Sequence, residues 1–455
     1  MGAAHEARRA ADRDPHRRDS RAGGRSALGA AALKALLRRA AASDFTRSGA
    51  LVFGASVLAN VSYYLFYMLM GRLLSVRDYG AVMSLISLVL VVFGAGTIGQ
   101  TVTAKLAADL RAAGAAEPMA SFSRALTRGA LLIALAIALA TLLAQQLVAA
   151  YLHLDRTELV SAAGVTAGVG FALLLQRGVF QGFGAFRSFA VSNLIDASRT
   201  VLLIPLVHAA GALGSILSLL GSVVAALLYG ELLLRRRFRA IGVAVHLDLR
   251  RMIATAGATG TSAFGIVVLM FYDVVLARHF LDPLDAGLYG AAALGGRVIF
   301  AAIAFLPTVL LPHVAVRAAS GRPATNVLAV ALAVALATIT VVAGCCAVAP
   351  ELVLRVLAGP RFTGAAAIVF PYALAAGGLS LASLLSTYAI ARHRFGFVPY
   401  LLVAAAAEIT AVLMRHGSVV QIVQDVLAGH VTVFAVMAVY VAHDLIKSRA
   451  AFRVA

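Results

Sequence analysis

Twelve apolar runs, joined by short polar connections, constrain this chain more than any other feature. They fall at 49–70, 80–102, 129–152, 159–175, 189–209, 212–234, 253–276, 289–313, 325–347, 366–390, 397–413 and 419–444. A helix rising about 1.5 Å per residue needs roughly 20 apolar residues to cross about 30 Å of hydrocarbon. The fourth and eleventh runs are short, and charge interrupts the fifth. Composition excludes a soluble reading. Apolar residues make up 61% of the chain and charged residues only 13%, against about 25% charged in soluble domains. No soluble fold hides that much apolar surface, so lipid is the solvent. The sequence predicts an all-α, polytopic membrane protein of about twelve transmembrane helices.

The formal charge of +19 is distributed in a way that excludes a nucleic-acid surface. Much of it lies in an Arg-rich tail, residues 1–47, and the rest in loops between runs. The tail has no apolar core followed by a cleavage pattern, so it does not read as a signal peptide. It reads as a disordered segment in which residues 27–40 form a basic amphipathic helix on anionic lipid. Of the 39 Lys and Arg, thirty fall on the side of the N-terminus and seven on the other. The positive-inside rule then puts both termini in the cytoplasm, with anionic lipids as partners of the tail and inner loops. With Cys345 and Cys346 replaced by Ala, single cysteines at Ser75, Thr157 and Asp285 are expected to react with an impermeant thiol reagent in intact cells. Cysteines at Ala115, Ala240 and Gly321 are expected to stay unlabelled, and the reverse pattern would invert the topology.

The strongest inner loop, 235–252, carries six arginines at the midpoint and separates a lobe at 48–240 from one at 241–455. The halves echo each other. FYMLMGRLLSVRDYGAV occupies 66–82 and FYDVVLARHFLDPLDAGLYGAA occupies 271–292. In each, an Arg closes a span (Arg72, Arg278) and a polar loop leads to Tyr-Gly at the next (Tyr79-Gly80, Tyr289-Gly290). Six spans per lobe put both hairpins on one side, so the lobes are related by a pseudo-two-fold axis along the membrane normal.

Motifs of catalysis are missing. There is no P-loop, H-E-x-x-H or nucleophile elbow, and no outer loop is long enough for a catalytic domain. The expectation is a non-enzyme without cofactors. Adjacent Cys345 and Cys346 lack metal-site spacing and read as two buried thiols.

Charges inside spans default to functional hypotheses because lipid makes them costly. Asp196 and Arg199 lie three apart on one face of span five, either as a structural pair or as part of a site. Glu231 and Arg235 fit a pair at a helix end. Arg297 lies about 12 Å below the outer end of span eight with no acid on its own helix. It either pairs with Asp273 on span seven, near that span's half-solvated outer end, or faces a wet cavity that takes an anion. Glu408 and His430 lie at equal depth on neighbouring spans, with Asp425 five residues before His430. This group could relay protons or only hold the bundle together.

The stretch NVSYYLFYMLMGRLLSVRDYGAVMSLISL resembles the first hairpin of the polysaccharide transporter (oligosaccharide flippase) family, part of the multidrug/oligosaccharidyl-lipid/polysaccharide exporter superfamily. LLLQRGVFQGFGAFRSFAVSNLIDASRTVLLIPLV at 173–207 resembles its fourth-to-fifth span region, through Arg177, Gly178, Gln181 and Gly182. Asp273 and AGLYGAAALGGR at 286–297 resemble the start of its second lobe. The likeness covers most of 48–320, and the last four spans match in hydropathy only. It implies two six-helix lobes around a central cavity, a bacterial inner-membrane location, and a lipid-linked glycan on an undecaprenyl-type pyrophosphate as substrate. Arg199 and Asp273 match charged positions of the family. Twelve spans instead of fourteen depart from its lipid II flippase branch. Polysaccharide-synthesis proteins are the implied partners. A pyrophosphate wants a cation in a dry-walled cavity, and sugars want polar groups such as Asn60, Gln100 and Gln181.

Two other classes compete. A cation-coupled exporter of drugs or other small molecules on the same fold would want a net acidic cavity. A non-transporting scaffold for a polysaccharide synthase would lose its role on deletion of 1–47, whereas a transporter would keep working.

Overall fold

The computed structural model describes residues 44–112, 116–237, 249–320 and 324–454. The predicted amphipathic segment 27–40, most of the 235–252 loop, and the labelling sites Ala115, Ala240 and Gly321 lie outside them. Contacts divide the chain into two units, Met1–Ala55 and Ser56–Ala455. The first contributes only the start of one helix to the described residues.

Long helices dominate, because a backbone in lipid must satisfy its polar groups within its own segment. In the first half these are α1 (Asp44–Leu73), α2 (Val76–Ala112), α3 (Ala116–Tyr151), α4 (Glu158–Gly182), α5 (Phe186–Asp196), α6 (Arg199–Ala210) and α7 (Ala212–Arg237). In the second they are α8 (Leu249–Phe280), α9 (Pro283–Ile303), α10 (Phe305–Ala319), α11 (Thr325–Val348), α12 (Pro350–Leu357), α13 (Ala366–Ala391), α14 (Val398–Met414) and α15 (Val419–Val454). A 3₁₀ turn, Pro360–Ala365, precedes α13. Among the described residues, eleven spans have the length and hydropathy to cross a membrane, and α14, with 17 residues, is a shorter apolar helix that would make a twelfth.

Three predicted spans differ from the sequence reading, each for a local reason. Span four runs on to Gly182 through Arg177, because Arg177 is hydrogen-bonded inside the protein instead of lying in a loop. Span five breaks between Asp196 and Arg199. The break is tolerated at depth because Arg199 Nε donates to Asp196 O (3.0 Å) and Ser62 Oγ donates to Ala197 O (2.6 Å). Span eight bends at Ala304, three residues before Pro307, whose ring disfavours a straight helix at the preceding turn. Cys346 is buried but Cys345 is exposed, since adjacent helical residues point about 100° apart.

Helices of each half pack chiefly among themselves: α2, α3 and α7 around α4, and α9, α11 and α15 around α13. The halves join where α2 runs along α8 and α9. Small residues permit this approach: a Cβ on Gly80 would lie 2.8 Å from Gly287 N. Cross-lobe hydrogen bonds concentrate at mid-depth and at the face formed by the α1–α2, α3–α4, α8–α9 and α11–α13 connections. That face is the closed one.

Candidate functional site

A cavity of about 460 Å³ lies between the lobes. Exposed Asn60 and Thr97 sit on its wall away from the closed face, and buried Phe66 lies nearer that face. Aromatic rings supply much of the wall: Tyr63, Tyr64, Tyr67 and Phe93 from the first lobe, and Phe271 from the second. Charged side chains on the wall are Arg177, Asp196, Arg199 and Arg297. Three cations and one anion therefore face one partly open space.

The first-lobe charges form a network around Asp196. Its carboxylate accepts from Arg199, from Arg177 Nη2 (3.1 Å), from Tyr63 OH (3.0 Å) and from Ser222 Oγ (3.3 Å). Arg177 also donates through Nε to Ser192 Oγ (3.2 Å), and Arg199 lies over the Tyr63 ring at 4.3 Å. Four helices thus converge on one buried acid, and the group keeps a surplus positive charge. The apolar pattern does not mark Arg177 as a site residue, because the run stops at 175. The available signal was Asp196, an acid in the adjacent span able to hold it.

Arg297 is 7% exposed and sits opposite, on α9. Its Nη2 donates weakly to Ser87 Oγ (3.3 Å) and Met270 O (3.4 Å), and its guanidinium lies 4.6 Å from the Phe271 ring centre. Nε is buried without a partner. Among the described residues no carboxylate pairs with it, so of the two alternatives for Arg297 the Asp273–Arg297 pair is not formed. Asp273 is fully buried instead of half solvated, accepts from Tyr289 OH (2.8 Å) and Tyr372 OH, and does not line the cavity. Two phenols stabilise it where a guanidinium was expected.

Asn60 lines the cavity, but Gln100 and Gln181 do not. They bond to each other (3.0 Å) where α2 and α4 pack through Gly178. A Cβ on that glycine would lie 2.4 Å from Gln100 O, so close backbone approach brings the amides together.

Glu408 and His430 meet behind the cavity, in the second lobe. His430 Nε2 lies 3.3 Å from Glu408 Oε1, which also accepts from Tyr272 OH (2.8 Å). His430 Nδ1 faces Ala375 O at 3.0 Å. Both ring nitrogens thus face oxygen atoms, so a proton can sit on either ring nitrogen or on the Glu408 carboxyl with a partner at hand. Asp425 is not part of this group. It pairs with Arg415 at 3.2 Å, because five residues along a helix turn it about 140° from His430. Glu231 and Arg235 pair at 2.7 Å, as their spacing predicts.

No family model matches the sequence, and neither does any curated protein. Solved structures do match in fold. An inward-facing MATE-family multidrug resistance transporter of the MOP superfamily superposes with a TM-score of 0.73 at 11% identity, over 86% of this chain and 95% of that one. The lipid II flippase MurJ in an inward closed conformation gives 0.64 at 12% identity, over 87% of each chain. A eukaryotic MATE transporter gives 0.61 at 16% identity, over 87% of this chain and 95% of its own. The multi-pass helical architecture, its division into two lobes and these superpositions together give this chain the fold of the MOP-superfamily transporters.

Proposed function

We propose that this protein is a transporter of the bacterial inner membrane that carries a lipid-linked oligosaccharide on an undecaprenyl-type pyrophosphate, moving it from the cytoplasmic to the outer leaflet by alternating access. The observation that carries this reading is the cavity's charge. Three arginines and one carboxylate line it, and Arg297 has no acidic partner among the described residues. A desolvated cation without a counterion favours an anionic guest, and the tyrosines offer stacking faces and hydroxyls to sugar rings. A cationic drug meets repulsion in the same space, which disfavours the exporter reading. Phosphate recognition suits Arg in particular, because a planar fork can donate two parallel bonds to neighbouring oxygens.

Binding tests the substrate class directly. Farnesyl pyrophosphate is expected to bind the purified protein, and farnesol and lipophilic cations to bind far less. Equal binding of farnesol, or preferred binding of a cation, overturns the proposal. Deleting the protein from its host and finding which lipid-linked glycan accumulates on the cytoplasmic leaflet would then identify the sugar.

We also propose that Glu408 and His430 hold the coupling proton. Tyr272, which donates to Glu408, neighbours Phe271, the ring beneath Arg297. A change of protonation at the pair therefore reaches the cavity through adjoining residues of α8. Glu408→Gln is expected to remove any dependence of transport on the proton gradient at unchanged membrane abundance. Persistence of that dependence would leave the pair a structural role only.

A further inference from the structure

The repeat seen in the sequence has a counterpart across the lobe interface. Arg72 closes α1, yet its Nη2 reaches the second lobe and donates to Arg355 O (3.3 Å) and Val356 O (2.8 Å). Arg278, its counterpart at the end of α8, reaches the first lobe and donates through Nε to Leu152 O and through Nη2 to His153 O, both at 2.9 Å. The targets correspond as well. Leu152 and His153 follow α3, the third span of the first lobe, while Arg355 and Val356 lie in the last turn of α12, which follows the third span of the second. Each arginine thus caps carbonyls that a helix C-terminus leaves unpaired, at the negative end of that helix's dipole. The exchange is reciprocal, as a two-fold relation between the lobes requires.

Each crossing has a second contact beside it. His279 Nδ1 lies 2.6 Å from Tyr151 O, and its ring stacks on Tyr151 at 3.8 Å. At the other crossing Arg361 donates to Leu74 O (3.3 Å), and Tyr79 meets Phe362 edge-on. A Cβ on Gly71 would lie 2.3 Å from Ala358 O, so the backbones there nearly touch.

We propose that Arg72 and Arg278 are a matched pair of gate residues, one from each lobe, that together hold this face of the cavity shut and release in a single step. The proposal rests on the alternating-access reading above. Both side chains bond main-chain carbonyls, which water can take over when the lobes part. Arg72 is already exposed, and Arg278 keeps one buried Nη1 without a partner. Among the described residues the closed face is therefore held by contacts that can be exchanged and not by a deeply buried ion pair.

The test places a cysteine at Ala301 on the cavity wall, in a Cys345→Ala, Cys346→Ala background, and measures labelling by an impermeant maleimide with no substrate added. The reporter is expected to label slowly in intact cells and quickly in inside-out vesicles. Arg72→Gln and Arg278→Gln are each expected to raise labelling in intact cells severalfold. In the double variant the two factors should multiply, because both contacts hold one rigid interface. Arg→Lys at either site should fall between, keeping charge while losing the two-carbonyl fork. Arg235→Gln, at a helix end of the first lobe away from this face, should change nothing. Unchanged labelling with lowered thermal stability in both Gln variants overturns the gate and leaves two structural caps. Factors that merely add overturn the single-step release. A reporter that labels from neither side overturns alternating access itself, an outcome separate from failure of the gate.

Discussion

Replacing Arg297 with Ala is expected to abolish transport while leaving the protein nearly as stable as the parent. Arg297 makes two long hydrogen bonds and one cation–π contact, and no buried acid among the described residues depends on it. Its loss removes the charge facing the guest without stranding a counterion. A charge-assisted hydrogen bond contributes about 1.5–3 kcal/mol, so binding of a pyrophosphate probe should weaken by roughly 10- to 100-fold. Arg297→Lys should retain partial activity, since an ammonium keeps the charge but not the fork. The check is probe affinity and thermal unfolding measured on one preparation. A large fall in stability with unchanged affinity would assign Arg297 to packing.

Asp196→Ala should do the opposite, unfolding the protein long before its effect on substrate could be read. Asp196 is 3% exposed and joins Arg177, Arg199, Tyr63 and Ser222. Removing one partner of a buried ion pair costs about 3–5 kcal/mol, because the other charge stays buried, and here two guanidiniums are stranded. Asp196→Asn keeps the shape and part of the hydrogen bonding, so it should cost less. Thermal unfolding in detergent and membrane abundance give the measurement. An Asp196→Ala protein as stable as Arg297→Ala would mean that the network is not what holds the broken span in place.

These two residues show how far a sequence carries. The spans were legible because a backbone in lipid must be helical and its side chains mostly apolar. Glu408 and His430 could be placed together because equal depth on antiparallel neighbours is a one-dimensional property. Lateral position is not. Asp273 finds Tyr289 and Tyr372, the latter 99 residues away, and no periodicity announces a tyrosine as an acid's partner. Gln100 and Gln181 looked like cavity groups by residue type, yet glycines on α4 turn them toward each other. Arg177 was hidden by its own charge, which ended the apolar run that would have kept it inside a helix. In each case hydropathy gave depth, and packing decided direction.

Phe271, Tyr272 and Asp273 are consecutive on α8 and point three ways: under Arg297, to Glu408, and to the paired tyrosines. On the proposed reading, proton and glycan then have separate berths with no side chain in common. Substrate and proton need not displace each other by competition, and both can be aboard during one crossing. Saturating one should therefore change how readily the other leaves, through the posture of a single helix, without lowering the number of places available to it.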